Sequence, residues 1–564
     1  MTKPLLIFLL ILASPVVSAA DPVIPGAGSM LQQILPVRPP EPSSSGTGLN
    51  LEQQSEGELP NSPAFPVQSL RISGNTTIDT PTLHALVADG EGQSITLPQL
   101  GELAARITHY YHSQGYPLAR AFIPAQTIQS GVVRIEVMEA HYGKITLDNR
   151  SQVDEGLLQA TLAPLQAEPA IGQTELDRTL LLISDIPGVI ANTTLQQGAK
   201  PGTSDLLVNA TAASAITGNL TVDDYGNRYT GRPRAGGTVN WINPLHHGDV
   251  LSFNALSAGS GMNYGQLSYE SWVNGRGTRL GGSYSILSYE LSGSKPISAL
   301  NANGTAQVGS FWGKHPLLRS RDVNLYGQVE YERTQLHDRI DAGGLKTYRH
   351  LDSGTASLSG DARDVLLSGG VNTWNLSWTG GHVEFNDAEA RLADAATKKS
   401  QGWFSKWNAN LARLQSLTQK DGLYLAFAAQ WAQGNLDSSK KMTIGGPYTV
   451  RGYDMGAVSG DSGYIGTVEL RHDLGASGFG QWQAVAFADS AQITVNQTPW
   501  SAGANQATLC GAGGGINWLG PALDWMGASR LNARAYIATP VGPVPKLVGK
   551  TDAVRAWLEI GMGF

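Results

Sequence analysis

A single cysteine, Cys510, stands in 564 residues, so the chain can form neither an intramolecular disulfide nor a cysteine-based zinc cluster. Charge is scarce. Only 15% of residues are charged and the formal balance is −7, which argues against nucleic acid as a partner, because phosphate binding calls for a basic surface. After the first twenty residues no run of eighteen apolar residues occurs, so no transmembrane helix is available and any membrane crossing must be made by strands. The usual enzyme signatures are missing too: there is no G-x-S-x-G elbow and no H-E-x-x-H pair, and nothing orders Ser, His and Asp into a triad. The glycine-rich run Gly511–Gly515 lies among strand-like segments, without a following helix to hold phosphate. No cofactor, metal or catalytic activity is expected.

What is present points to β-structure. Sixty-seven glycines with 13 Trp, 18 Tyr and 11 Phe suit many strands, tight turns and aromatic girdles. In the last segment Val554, Ala556, Leu558, Ile560, Met562 and Phe564 alternate with Arg555, Trp557, Glu559, Gly561 and Gly563. A period of two over about ten residues marks a strand with dissimilar faces, long enough to cross a bilayer when tilted. The same pattern fits an ordinary sandwich strand. It recurs in Asp322–Arg333, Leu423–Trp431 and Tyr464–Arg471, and about 350 residues at roughly 20 to 22 per strand and connection make about sixteen antiparallel strands.

Upstream the composition changes. Residues 1–20 carry Lys3, the apolar run Leu5–Leu12 and small residues ending at Ala20, the pattern of a cleaved secretory signal peptide. Ser29–Leu35 fits a short helix with Ser29 as N-cap and Pro36 as stop, and 36–64 reads as a flexible linker rich in Pro, Ser and Gly. Residues 65–140 order as β-α-α-β-β: a strand around Ser69–Ile72, a helix opening at Thr80-Pro81, a helix from Pro98 to Gly115, then strands Leu118–Ile123 and Val132–Met138. A second α/β unit, 141–214, has a strand at Gly143–Leu147, helices at Val153–Leu162 and Glu175–Ile183, and closes on Pro201-Gly202-Thr203-Ser204-Asp205-Leu206-Leu207-Val208.

The order in 65–140 resembles a POTRA domain. The string Leu181-Leu182-Ile183-Ser184-Asp185-Ile186-Pro187-Gly188-Val189, with PGTSDLLV after it, is similar to the second POTRA of two-partner secretion transporters, the TpsB family. Gly445-Gly446-Pro447-Tyr448-Thr449-Val450-Arg451-Gly452-Tyr453 resembles the loop of that superfamily, which includes the BamA insertases, that folds back into the barrel. Asn243-Pro244-Leu245-His246-His247-Gly248-Asp249 resembles an NPLGxGD turn, with His246 where glycine is common. Adjacent histidines on a strand face opposite ways and no third ligand is evident, so a metal is not expected there.

The resemblance implies a transmembrane β-barrel over 215–564 with two N-terminal α/β POTRA domains, exporting a large exoprotein through its N-terminal secretion domain. Residues 21–35 are then expected to plug the pore. In such a barrel Val450, Arg451, Gly452 and Tyr453 form the gating loop. Arg451 needs a carboxylate, which the family supplies from a strand motif matched here by Phe487-Ala488-Asp489-Ser490-Ala491, with Ala491 in place of glycine. Asp454, Asp461 and Glu469 compete with Asp489, and without the family match Arg451 reads as a solvated loop arginine. Strand pairing with the partner is expected at Leu118, Ala119, Arg120, Ala121, Phe122 and Ile123. Phe564 resembles the signal read by the outer-membrane barrel-assembly machinery. Localisation is then the outer membrane, with the POTRA domains in the periplasm. An insertase of the same superfamily, a barrel enzyme and a passive porin stay open as alternatives, and the sequence does not identify the exported protein.

Overall fold

In the computed structural model, which describes residues 25–34, 41–51, 60–167, 170–293, 295–523, 529–549 and 551–564, sixteen antiparallel strands close into one barrel. They run in chain order from Ile216–Asp223 to Arg555–Gly563, as the residue count predicts. The two end strands pair from Asn219–Gly563 to Asp223–Glu559, and Phe564 exchanges both backbone hydrogen bonds with Gly218, at 2.9 and 3.0 Å. A Cβ at position 218 would stand 2.7 Å from the Phe564 ring, so glycine lets the terminal aromatic lie flat on the seam.

Side-chain alternation settles which face is wet. Trp241, Phe253, Leu267, Phe311, Val329, Leu376, Trp407, Leu411, Phe427, Val468, Ile516, Leu558 and Ile560 are exposed, while Asp223, Arg234, Arg451, Glu469, Asp489, Arg555 and Glu559 are buried. A soluble sandwich buries the first group and exposes the second. An apolar belt around a charged interior is the arrangement of a barrel solvated by lipid.

At one end of the barrel sit two α/β units. In the first, strands Ser69–Ser73, Val132–Met138 and Arg120–Phe122 form a sheet in that order, with Val132–Met138 in the centre. Helix Leu97–Ser113 packs Leu100, Leu103, Ile107 and Tyr111 onto Val133, Ile135 and Val137. It starts in a capping box, the Thr96 hydroxyl accepting from Gln99 N and the Gln99 side chain accepting from Thr96 N. The strand expected over Leu118–Ile123 is only Arg120–Phe122, because Leu118 turns away to pack on the core of the second unit. The first unit is locked by the buried carboxylate of Glu139, which accepts from Thr76 N at 2.9 Å, Thr77 N at 2.8 Å and the Tyr111 hydroxyl at 2.6 Å. Burial opposes its ionisation, but hydrogen bonds from Thr76, Tyr111 and Thr77 outweigh it and hold the carboxyl at about 2.

The folded value lies below the ordinary 4.5, so Glu139 stabilises the first unit above about pH 4.5, and this stabilisation is lost as pH falls towards 2. The protection of the Thr76 and Thr77 amides against hydrogen exchange, relative to the unfolded chain at the same pH, should fall over that window. Glu139→Gln should remove the pH step and cost on the order of 2 kcal/mol; a Gln variant that keeps the same pH step contradicts this assignment.

The second unit packs helices Glu155–Gln166 and Gln173–Ser184 on strands His141–Arg150, Thr203–Ala212 and Val189–Gln197. The middle strand of the three in chain order, Val189–Gln197, has no counterpart in the elements expected from sequence. Gly188, at φ +91°, turns the chain from the second helix into it, which is the work of the Pro-Gly string. Asp185 of the same string accepts two hydrogen bonds from Arg319 at the barrel rim, Nε at 2.7 Å and Nη2 at 2.9 Å, and the Arg319 side chain is fully buried. The backbone N of Asp154 also donates to His246 O at 2.7 Å, in the turn between strands Arg234–Ile242 and Val250–Ser257. His246 has φ +66°, a region that glycine enters at less cost.

Two further expectations change. The short helix runs Ala27–Ile34, starting two residues before Ser29, whose hydroxyl donates to Gly26 O from inside the first turn. Leu35 and residues 1–24, which include the segment expected to be a signal peptide, lie outside the described residues. The linker is not featureless where it is described: Ser43 is bound to the barrel rim, and Leu49–Leu51 is a parallel strand on Val189–Gln197.

Candidate gate inside the barrel

Residues 433–461 connect strands Asp421–Ala432 and Ser462–Ser477, which pair directly with each other, so the connection is free to fold inward. It does so as the hairpin Met442–Ile444 with Val458–Gly460, whose tip carries Val450-Arg451-Gly452-Tyr453. Tyr453 N donates to Val450 O, making a tight turn that presents Arg451 to the wall. Val450 and Tyr453 are fully buried among Ile465, Ala491, Ile493 and Leu509. The Tyr453 hydroxyl finds no hydrogen-bond partner among the described residues, so its ring packing is what the site uses.

Arg451 is 5% exposed and is held on every side. Its Nε and Nη2 each donate to Asp489 at 2.8 Å, its backbone N donates to the same carboxylate at 3.1 Å, and Nη1 donates to Glu469 at 2.7 Å. The guanidinium carbon lies 3.3 Å from the centre of the Phe487 ring, which is in turn edge-on to Tyr536. Asp489 also accepts from the Thr467 hydroxyl, and Glu469 also accepts from Arg471 Nε at 2.7 Å. Two arginines and two carboxylates therefore balance, which is what makes charge tolerable at this depth.

The alternation of strands Ser462–Ser477 and Gly480–Thr494 puts Glu469, Phe487 and Asp489 on the inner face; Thr467 is the register partner of Asp489 and Glu469 that of Phe487. The wall beyond is glycine for a steric reason. A Cβ on Gly511 would meet Gly452 N at 3.1 Å, and one on Gly513 would meet Phe487 at 2.7 Å. Ala491, which stands where a glycine was expected, is fully buried, and its methyl joins the apolar seat of Val450 and Tyr453. Of the three competing carboxylates, Glu469 shares Arg451 with Asp489, while the other two are engaged elsewhere: Asp454 pairs with Arg555, and Asp461 with Lys441 at 2.9 Å.

Sequence reasoning missed three contributors. Trp557 on the last strand donates its indole N–H to Arg451 O at 2.8 Å. Arg349, buried in the wall, bonds Asp437 of the loop at 2.5 Å and Asp338 at 2.7 Å. Asp338 in turn accepts from Ala27 N, at the start of the helix Ala27–Ile34, at 2.7 Å. That helix lies in the lumen with Met30 and Leu31 in an apolar cluster that includes Tyr264, Leu287 and Leu336, and its Gln33 accepts from Asn227 at 3.0 Å. Inward Arg and Asp residues on alternating strand positions were the available signal for Arg349 and Asp338. Between helix, loop and wall a cavity of 390 Å³ remains, lined by Gln32, Lys406, Gln430, Lys441 and Tyr448.

Comparison with known proteins decides what this closed barrel is. Residues 202–518 match the family described as haemolysin secretion/activation protein ShlB/FhaC/HecB, and residues 65–140 match the ShlB-type POTRA domain. The chain belongs to that family. It is 28% identical over 414 residues to the heme/hemopexin transporter protein HuxB of Haemophilus influenzae, covering 73% of each chain. It is 24% identical over 469 residues to the outer membrane transporter CdiB of Escherichia coli, covering 81% of this chain and 76% of CdiB. The solved structure of CdiB from Escherichia coli shares the fold, with a TM-score of 0.69 at 20% identity, covering 91% of this chain and 93% of that one. This member of the ShlB/FhaC/HecB family is an outer-membrane transporter of two-partner secretion: its barrel spans the outer membrane, its POTRA region lies in the periplasm and it exports a partner exoprotein.

Proposed function

We propose that the transporter is gated by two removable elements, the loop carrying Arg451 and the helix Ala27–Ile34. The observation that supports this is their attachment: both sit in the lumen on discrete polar anchors and side-chain packing, and among the described residues neither pairs as a strand with the wall. A cavity of 390 Å³ lies between them, smaller than an extended chain crossing about 30 Å of bilayer requires. Residues 21–35 act as the plug, residues 36–64 as its tether, and the second α/β unit as a second POTRA. The exported partner is a large exoprotein with an N-terminal secretion domain. No catalytic step is involved, and bias comes from the partner folding outside. Phe564, paired on the seam, is read by the barrel-assembly machinery during insertion.

The first POTRA meets the partner in the periplasm, at the segment Leu118–Ile123. There Phe122 is exposed, Ala119 is buried, and Arg120 lies on the outer face of the strand. Removing residues 65–140 should abolish capture of the partner's N-terminal domain by the detergent-solubilised transporter in a pull-down. Retained capture would refute first-POTRA recognition while leaving the gate intact.

A further inference from the structure

The cavity of 390 Å³ in the lumen is bounded by helix, loop and wall together: Gln32 of the helix, Tyr448 and Thr449 of the loop, and Lys406, Asn408 and Gln430 of strands Gly402–Ser416 and Asp421–Ala432. Its lining carries charge of one sign. Lys406 and Lys441 line it, and among the described residues no carboxylate does. Lys441 is compensated, because its Nζ donates to Asp461 at 2.9 Å and also to Val495 O and Asn496. Lys406 is not. Its Nζ donates to Gln430 Oε1 at 3.0 Å and to Lys440 O at 2.9 Å, both neutral, while the Glu332 carboxylate is taken by Lys440 at 2.6 Å. One of the three N–H groups of Lys406 is therefore left without an acceptor among the described residues. Thr449, which lines the same cavity, is only 9% exposed, and its buried hydroxyl also has no partner among the described residues. The neighbouring side-chain acceptor is spent: Gln430 Oε1 already accepts from Lys406 and from Asn408 at 2.9 Å.

We propose that this cavity is a binding site for one small monovalent carboxylate, held by the spare N–H of Lys406 and the hydroxyl of Thr449. The chemistry of the lining selects the class. Spare donors without spare acceptors exclude a cation, and one uncompensated ammonium sets the ligand's charge at −1. A carboxylate has two oxygens, so it satisfies both donors at once, and its bond to the ammonium is charge-assisted. The volume corresponds to about a dozen waters at about 30 Å³ each, which leaves room for a short-chain acid with its own hydration and not for a folded or extended peptide. Lys406 belongs to the wall and Thr449 to the loop, while Gln32 of the helix already donates to Ser439 O of the loop. A ligand bridging them is bound only while loop and wall are together, so it lowers the open population by mass action. This deepens the gating reading and rests on it for that consequence; the site itself does not.

The test uses trifluoroacetate as the probe, its fluorine line width being followed by NMR as the full-length transporter is added in detergent and sodium chloride buffer. Saturable broadening is expected, reversed by acetate and not by the same concentration of extra chloride. Lys406→Met should weaken binding at least about tenfold and Thr449→Val several-fold, while Lys406→Arg, which keeps the charge, should retain most of it. Heat-modified migration on gels checks that each variant is a folded barrel. In planar bilayers, replacing chloride by acetate should make openings of the wild-type channel several-fold rarer and leave Lys406→Met unaffected. No broadening with the wild type, equal broadening with folded Lys406→Met, or displacement by chloride as effective as by acetate overturns the site. Openings that acetate leaves unchanged, in a channel that deletion of residues 21–35 does widen, overturn its link to the gate. If that deletion leaves conductance unchanged, the gating reading fails, and the fluorine arm still decides the site.

Discussion

Arg451→Ala abolishes export of the partner exoprotein while the barrel assembles at normal level. The expectation follows from what the substitution leaves behind. Asp489 loses its two side-chain hydrogen bonds from Arg451, keeping the one from the backbone N of position 451, Glu469 loses one, and both carboxylates stay buried beside the Phe487 and Tyr536 rings. Breaking a buried pair by removing one partner typically costs about 3 to 5 kcal/mol. Here the cost falls on the seating of a loop. The sixteen-strand ladder does not depend on it, so protease resistance of the barrel should be retained. Arg451→Lys should restore little, because an ammonium cannot bond Asp489 through two nitrogens and reach Glu469 with a third. Asp489→Asn should impair export more than Glu469→Gln, since Asp489 accepts three of the four bonds. Assaying culture supernatants against outer-membrane protein level checks all four variants, and wild-type export by Arg451→Ala contradicts the gate.

Removal of residues 21–35 should raise single-channel conductance several-fold in planar bilayers. The helix Ala27–Ile34 occupies lumen that the loop alone does not fill, and it is held by Ala27 N on Asp338, by Gln33 on Asn227 and by the packing of Met30 and Leu31. None of these is a barrel-strand contact that the fold requires. Asp338→Ala should open the channel more often without changing its full-open conductance, because it weakens one anchor and leaves the helix in place. Conductance unchanged by the deletion would remove the plug from the account.

The barrel is legible in the sequence because a strand's two faces see different solvents and the period of two survives in the residue order. Leu558 and Ile560 face lipid while Arg555 and Glu559 face inward, whichever strand they pair with. Arg451 and Asp489 are legible only through a family string, since 38 residues separate them and no local pattern marks the pair. Glu469 was named as a rival of Asp489 and turns out to share the arginine with it: a guanidinium has five donors, and one carboxylate cannot satisfy them. The run Gly511–Gly515 is uninformative alone, because Gly511 and Gly513 make room for Gly452 of the loop and Phe487 of the neighbouring strand, which arrive from elsewhere in the chain. The linker misled for a similar reason. Gly48 and Leu49 look like spacer until Val189–Gln197 supplies the edge they pair with.

The most direct test of the whole account compares the proteins released by a strain lacking this gene with those released after complementation by the wild type and by Arg451→Ala. The account predicts loss of one large exoprotein from the medium, its return with the wild type and its continued absence with Arg451→Ala, at unchanged levels of other outer-membrane barrels. A broad fall in those barrels would indicate an insertase, and an unchanged set of released proteins would contradict protein export.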